Sequence, residues 1–342
     1  MRRGERRRAN GRARARRAIG GMSHMWNSLR RARKGADKPP QTAGSLHRAR
    51  DAKREQFQQQ GFAQFARTVR ASGIDLPPVD EFCRRYVAYY DDAEAKAEKP
   101  NAGFGLFKFD IHADIARPVE MARILKDAGG HGLFLVMHRH ALNEAWHGGQ
   151  QMWDALNQIR DLGHEVGLHA DPFHLIATRG DLYAGLDEAL SELRGAGVPI
   201  RALTLHGDSR ASIKARRLQA NDFFADGFRR SKWDGLPPEG LEALAGHVGK
   251  YNHLTLFRRL GVEYVADVHF VRRGELVNRA PMMYLSDNQR RLRIGNIAPD
   301  VVEEGLVEAP DTFGISAEFA ERASRVLVRR PFLALFHPQW YA

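Results

Sequence analysis

Residues Gly105–His112 read GLFKFDIH, an apolar run that ends in a histidine, and the pattern recurs five more times along the chain. GLFLVMH closes at His138, HEVGLH at His169, ALTLH at His206, EYVADVH at His269 and FLALFH at His337. The chain has fifteen histidines in 342 residues, so six at the same end of the same kind of segment mark a repeated structural position. Short apolar runs bounded by turn residues read as buried strands. In a barrel of parallel strands the C-terminal ends converge on one mouth, where such folds carry out chemistry.

Outward from this run, strands alternate with helices. Arg117-Pro118 opens a helix, since proline suits the first helical turn, and Gly129-Gly130 stops it. Met152, Leu156 and Ile159 mark a second helix, ended by Gly163. Leu182, Leu186, Leu190 and Leu193 mark a third, ended by Gly195 and Gly197. Further helices fall around Leu254–Leu260 and over Ala317–Val328. This alternation predicts an α/β fold with a parallel sheet covered by helices. Segment 207–250 has no legible period, and the chain has no internal repeat.

Charge divides the chain. The formal net charge is +12, yet residues 1–54 hold eighteen Lys or Arg against Glu5, Asp37 and Asp51. The remainder has thirty-five bases and thirty-eight acids, an ordinary near-neutral body. Arg2–Arg17 alternate Arg with Ala and Gly without an apolar period, and residues 1–35 are expected to be a disordered basic arm. Clustered arginine suits nucleic acid or an anionic membrane, but no aromatic residue for base stacking precedes Trp26. The arm therefore reads rather as a dispensable tail, or as translated leader before Met22 or Met25. Residues 36–103 form a helical lead-in, in which Phe57, Phe62, Phe65 and Val69 recur at helical spacing and predict a face packed on the body. Residues 104–342 are the barrel, a size that suits one α/β domain.

The lone Cys83 excludes an intramolecular disulfide and a multi-cysteine zinc site. No signal-type apolar stretch follows the arginines, and no run approaches the ~18 residues of a membrane span. The expectation is a soluble, cytoplasmic protein.

Side chains two apart on a strand share a face. Asp110 and His112 therefore point the same way, inward if Phe109 and Ile111 pack outward on helices. Glu165, Gly167 and His169 share a face, as do Thr204 with His206 and Asp267 with His269. His164 falls on the opposite face from His169 and reads as a structural histidine. His138 and His140 are left open, since Met137–His140 also reads as a polar loop, and His269 reads as structural. A buried carboxylate among imidazoles is costly without compensation, which a divalent cation supplies. Neutral imidazole and carboxylate oxygen suit zinc or a related divalent metal. A metal with an open position generates a nucleophile from water, and Asp110 would take its proton or orient it.

The blocks FDIH (Phe109–His112), GHEVGLHAD (Gly163–Asp171), LTLHGDS (Leu203–Ser209), YLSDNQ (Tyr284–Gln289) and FLALFHPQW (Phe332–Trp340) resemble the polysaccharide deacetylase (NodB-like) superfamily, nearest to its glycan-cluster branch. The resemblance covers roughly residues 104–342. It implies a distorted (β/α) barrel and a metal-dependent hydrolase of carbon–nitrogen, non-peptide bonds that removes N-acyl groups, chiefly N-acetyl, from a sugar or glycan precursor. It implies Asp110 as catalytic base, His169 as a metal ligand and His337 as general acid. His112 stands where many members have a metal-binding acid. The second ligand histidine expected four residues after His169 is replaced by Phe173, with His174 one place later, so the third ligand is His206 or His174. The expected set is then His112, His169 and His206 on Zn2+ or a similar ion, with Asp171, Asp287 and Trp340 lining the sugar site. The competing expectation is a non-catalytic glycan-binding or scaffold barrel with a degenerate metal site.

Overall fold

A computed structural model of the chain describes residues 60–91, 103–112, 115–138, 149–206, 220–225, 242–266, 270–272, 275–276, 283–287, 293–295, 315–338 and 341. The chain divides into two compact units. One comprises Leu46–Ala170, Ala189–Thr204 and Leu256–Ala342; the described residues of the other fall within Asp171–Glu188 and Leu205–Thr255.

The first unit is built on a ten-stranded sheet. In chain order its strands are β1 (Gly105–Ile111), β2 (Gly132–Val136), β3 (Glu165–Ala170), β4 (Ala202–Leu205), β5 (Tyr264–Ala266), β6 (Phe270–Arg272), β7 (Glu275–Leu276), β8 (Met283–Ser286), β9 (Arg293–Gly295) and β10 (Phe332–Phe336). The spatial order is β7-β6-β5-β4-β3-β2-β1-β10-β8-β9. Its seven central strands, β5 through β8, form a parallel, curled half-barrel compatible with a (β/α) barrel. β6, β7 and β9 extend it by antiparallel pairing. Five of the six histidine-terminated runs become β1, β2, β3, β4 and β10, as their apolar pattern predicts. The sixth becomes β5, although His269 lies outside the described residues.

Two helices of the lead-in, α1 over 60–71 and α2 (Val79–Asp91), precede the strands, and α3 (Ala116–Asp127), α4 (Gln150–Asp161), α5 (Pro172–Arg179), α6 (Leu182–Gly195), α7 (His253–Leu260) and α8 (Ala317–Leu327) alternate with them. Gly163, at φ 91°, turns the chain from α4 into β3 in a conformation that favours glycine. α5 is an addition to the sequence reading. It is short, with Asp171 as its N-cap, and it ends at Gly180 in the left-handed region. Within 207–250 the described elements are two 3₁₀ turns, Ala220–Phe223 and Glu242–His247. Such turns are too short to carry a period. Among the described residues no helix is long and apolar enough to cross a membrane. The arm at 1–35 lies outside the described residues.

The two faces of the sheet separate cleanly. Phe107 and Phe109 of β1 face the helical layer, where Phe62 and Phe65 of α1 pack against Phe107, Phe109 and Phe336. Phe109 stacks on Phe134 at 4.1 Å between ring centroids. Of the lead-in face predicted from Phe57, Phe62, Phe65 and Val69, the last three are buried in the sheet-bearing unit, and Phe57 lies outside the described residues. On the other face, Leu106, Leu133, Leu135, Ala202, Tyr264, Ala266 and Leu333 form an apolar cluster with Val79, Phe82, Cys83 and Tyr86 of α2. The start of β3 and the chain just before β4 are tied down by ions: Arg201 bridges Glu165 at 2.7 Å and Asp80 at 3.2 Å, and Tyr264 donates to Asp80. Bonding to Glu165 and Asp80 raises the Arg201 pKa further, and burial followed by Asp80 raises that of Tyr264.

Candidate metal centre

β1 climbs from this apolar floor in steps of two. Leu106 belongs to the floor, followed on the same face by Lys108, Asp110 and, just past the strand, His112. Lys108 and Asp110 are 2% and 4% exposed. β3 lies two strands away, beyond β2, and carries Glu165, Gly167 and His169 on the matching face. Gly167 is required there, because a Cβ would stand 2.7 Å from the Ala202 carbonyl oxygen and collide with Leu135.

These positions bring the polar groups together. His169 Nε2 lies 3.0 Å from His112 Nε2, with the two rings nearly parallel. Asp110 Oδ2 is 3.8 Å from His169 Nε2. Lys108 Nζ lies 3.3 Å from each Asp110 oxygen and donates to Thr204 Oγ1 at 3.1 Å. Only the contact with Oδ2 has hydrogen-bond geometry; Asp110 Oδ1 is buried and accepts no hydrogen bond among the described residues.

His337 follows β10, and its ring lies 5.0 Å from that of His112. Its Nδ1 donates to Asp287 Oδ1 at 2.6 Å, while its backbone N–H donates to Asp287 Oδ2 at 2.6 Å. Tyr341 donates its hydroxyl to the same carboxylate; burial, then the charge of Asp287, pushes the phenol well above its ordinary pKa. Asp287, expected in the wall of the sugar site, thus sits behind His337 and fixes its tautomer. Trp340 and His140 lie outside the described residues. Asp171 caps α5, accepting from the His174 N–H at 3.0 Å, and is buried.

The remaining histidines sort by face. His164 is 4% exposed and opposite to His169: its Nδ1 accepts from the Gly132 N–H at 3.2 Å, and its Nε2 donates to the Ala122 carbonyl of α3 at 2.8 Å. Burial lowers its pKa to about 4, keeping it neutral. His138 shares its parity with Phe134, on the helical side of β2. It bonds Glu192 of α6 at 2.7 Å and lies against Trp153 of α4. This resolves the open reading in favour of a structural residue. Lys108 is the residue that sequence reasoning missed, although its spacing from Asp110 is the signal that selected His112.

His206 immediately follows β4, the neighbour of β3. His112, His169 and His206 could together hold a metal ion. The donor chemistry fits: nitrogens sharing a tetrahedral zinc stand about 3.3 Å apart, close to the His112–His169 separation. All three are imidazoles, which suit zinc and its borderline neighbours. Comparison with family models, with curated proteins and with solved structures finds no match for this chain.

Proposed function

We propose that the protein is a metal-dependent hydrolase that removes an N-acyl group, chiefly acetyl, from a sugar or glycan precursor, on a distorted (β/α) barrel of the deacetylase type. The observation that carries the proposal is the buried convergence of Asp110, His112, His169 and the His337–Asp287 pair at the C-terminal ends of parallel strands. The resemblance of FDIH, GHEVGLHAD and FLALFHPQW to the deacetylase blocks supplies the substrate class.

His112, His169 and His206 would hold the ion, which when bound supplies a polarised carbonyl and an acidified water. The residues of the chain do the proton work. Asp110 is the carboxylate that would take a proton from the attacking water: Lys108 holds it from one side, and its Oδ2 lies 3.8 Å from His169 Nε2. His337 donates its Nδ1–H to Asp287, which sets the imidazole tautomer, and it is the residue that would deliver a proton to the departing amine. Asp287 orients that imidazole, as the carboxylate behind a catalytic histidine does in acyl-transfer triads.

The test is acetate release from N-acetylated sugars before and after chelation. Release that stops on chelation and returns with added Zn2+ supports the proposal. Retention of glycan without acetate release, with no stoichiometric metal, supports the non-catalytic barrel instead.

A further inference from the structure

We propose that Lys108 is a positioning residue that holds Asp110 away from the metal, so that the ion keeps an all-histidine ligand set and the carboxylate stays available as base. The inference rests on the hydrolase reading above and adds to it a residue that neither composition nor resemblance singles out.

A lysine inside a strand with both faces covered is uncommon, and it persists only when its charge is compensated. Here the compensation is Asp110. The ammonium stands 3.3 Å from both carboxylate oxygens and is anchored from the other side by Thr204. Lys108 lies on the floor side of the carboxylate and His112 beyond it, because 108, 110 and 112 succeed one another on one face of β1.

The restraint matters because Asp110 is close to becoming a ligand. Its Oδ2 lies 3.8 Å from His169 Nε2, whereas two donors on one tetrahedral ion stand about 3.3 Å apart. A movement of about half an ångström would therefore let the carboxylate bind the metal. Carboxylate oxygen is a good zinc ligand, and as a ligand it would lose its ability to take a proton from water. The charge pair with Lys108 opposes that movement, and Thr204 keeps the ammonium from following it.

The probe is Co2+ alone, titrated into metal-stripped full-length protein and followed by its visible spectrum. Wild-type protein should give a spectrum of imidazole ligation. Lys108→Met, close in length and uncharged, should shift that spectrum and bind Co2+ about tenfold more tightly, while acetate release is lost. Lys108→Met/Asp110→Asn should return spectrum and affinity to wild type, since no carboxylate remains to move in. Should Lys108→Met fail to fold, Thr204→Val carries the test: it should tighten Co2+ binding and shift the spectrum the same way, by less. A wild-type protein that takes up no Co2+ overturns the hydrolase reading and this inference with it. Wild-type uptake with an unchanged spectrum and affinity in Lys108→Met, or in Thr204→Val if that variant must serve, overturns this inference alone.

Discussion

His164 and His169 stand five residues apart, and a difference in parity sends one into the helical layer and the other into the polar cluster. His164 accepts at one ring nitrogen and donates at the other, so a second proton would set an N–H against the Gly132 N–H. With its folded pKa near 4, below the unfolded value of 6.5, the unfolded chain binds more protons between those pH values. The stability it contributes is therefore complete above about pH 6.5 and is lost as the pH falls toward 4. Denaturant midpoints measured from pH 7 to pH 4 should fall, and in His164→Gln they should fall less. His164→Ala should cost about 1–3 kcal/mol in unfolding free energy, because two buried backbone groups lose their partner. Asp287→Asn tests the other polar pair. It keeps the shape but presents an amide to His337 Nδ1, so kcat should fall about 10²–10⁴-fold while metal content is unchanged. A kcat within a few-fold of wild type would remove His337 from the proton transfer.

At the level of elements, the strands were legible because each buried run is short, apolar and bounded by turns, and the parity rule then sorted Asp110, His112 and His169 from His164. The same rule places Lys108 on the face of Asp110, but a lysine carries no metal-ligand signature that marks it in the sequence. α5 was not legible, because its eight residues, ended by Gly180, are too few to show a helical period of their own. β6, β7 and β9 are only two or three residues long, below the length at which alternation can be read. Gly167 shows how one element limits another: β3 reaches β4 closely because nothing projects from that position. Gly167→Ala should lower stability by about 1–3 kcal/mol, measured by chemical denaturation, since the Ala202 carbonyl is backbone and yields poorly. An unchanged midpoint would show that β3 and β4 have slack between them.

For the molecule as a whole, the sheet-bearing unit assigns its two ends different work. α2 covers the Leu106–Leu133–Leu135 face with Phe82, Cys83 and Tyr86, and Arg201 with Asp80 and Glu165 ties the start of β3 to that helix. The opposite strand ends carry Asp110, His112, His169 and His337. The aromatic face of α1 was readable from helical spacing, and its burial against Phe107 and Phe336 makes the lead-in part of the sheet-bearing unit. Sugar specificity was not readable in the same way, because Trp340 and the loops around it carry no period that fixes where a side chain points.

The central claim is a divalent ion held by imidazoles from separate strands, and metal content measures it most directly. Elemental analysis of purified protein should find one divalent ion per chain in the wild type and in His164→Ala, and none in His169→Ala. Equal metal content in the two histidine variants, or none in the wild type, would contradict it.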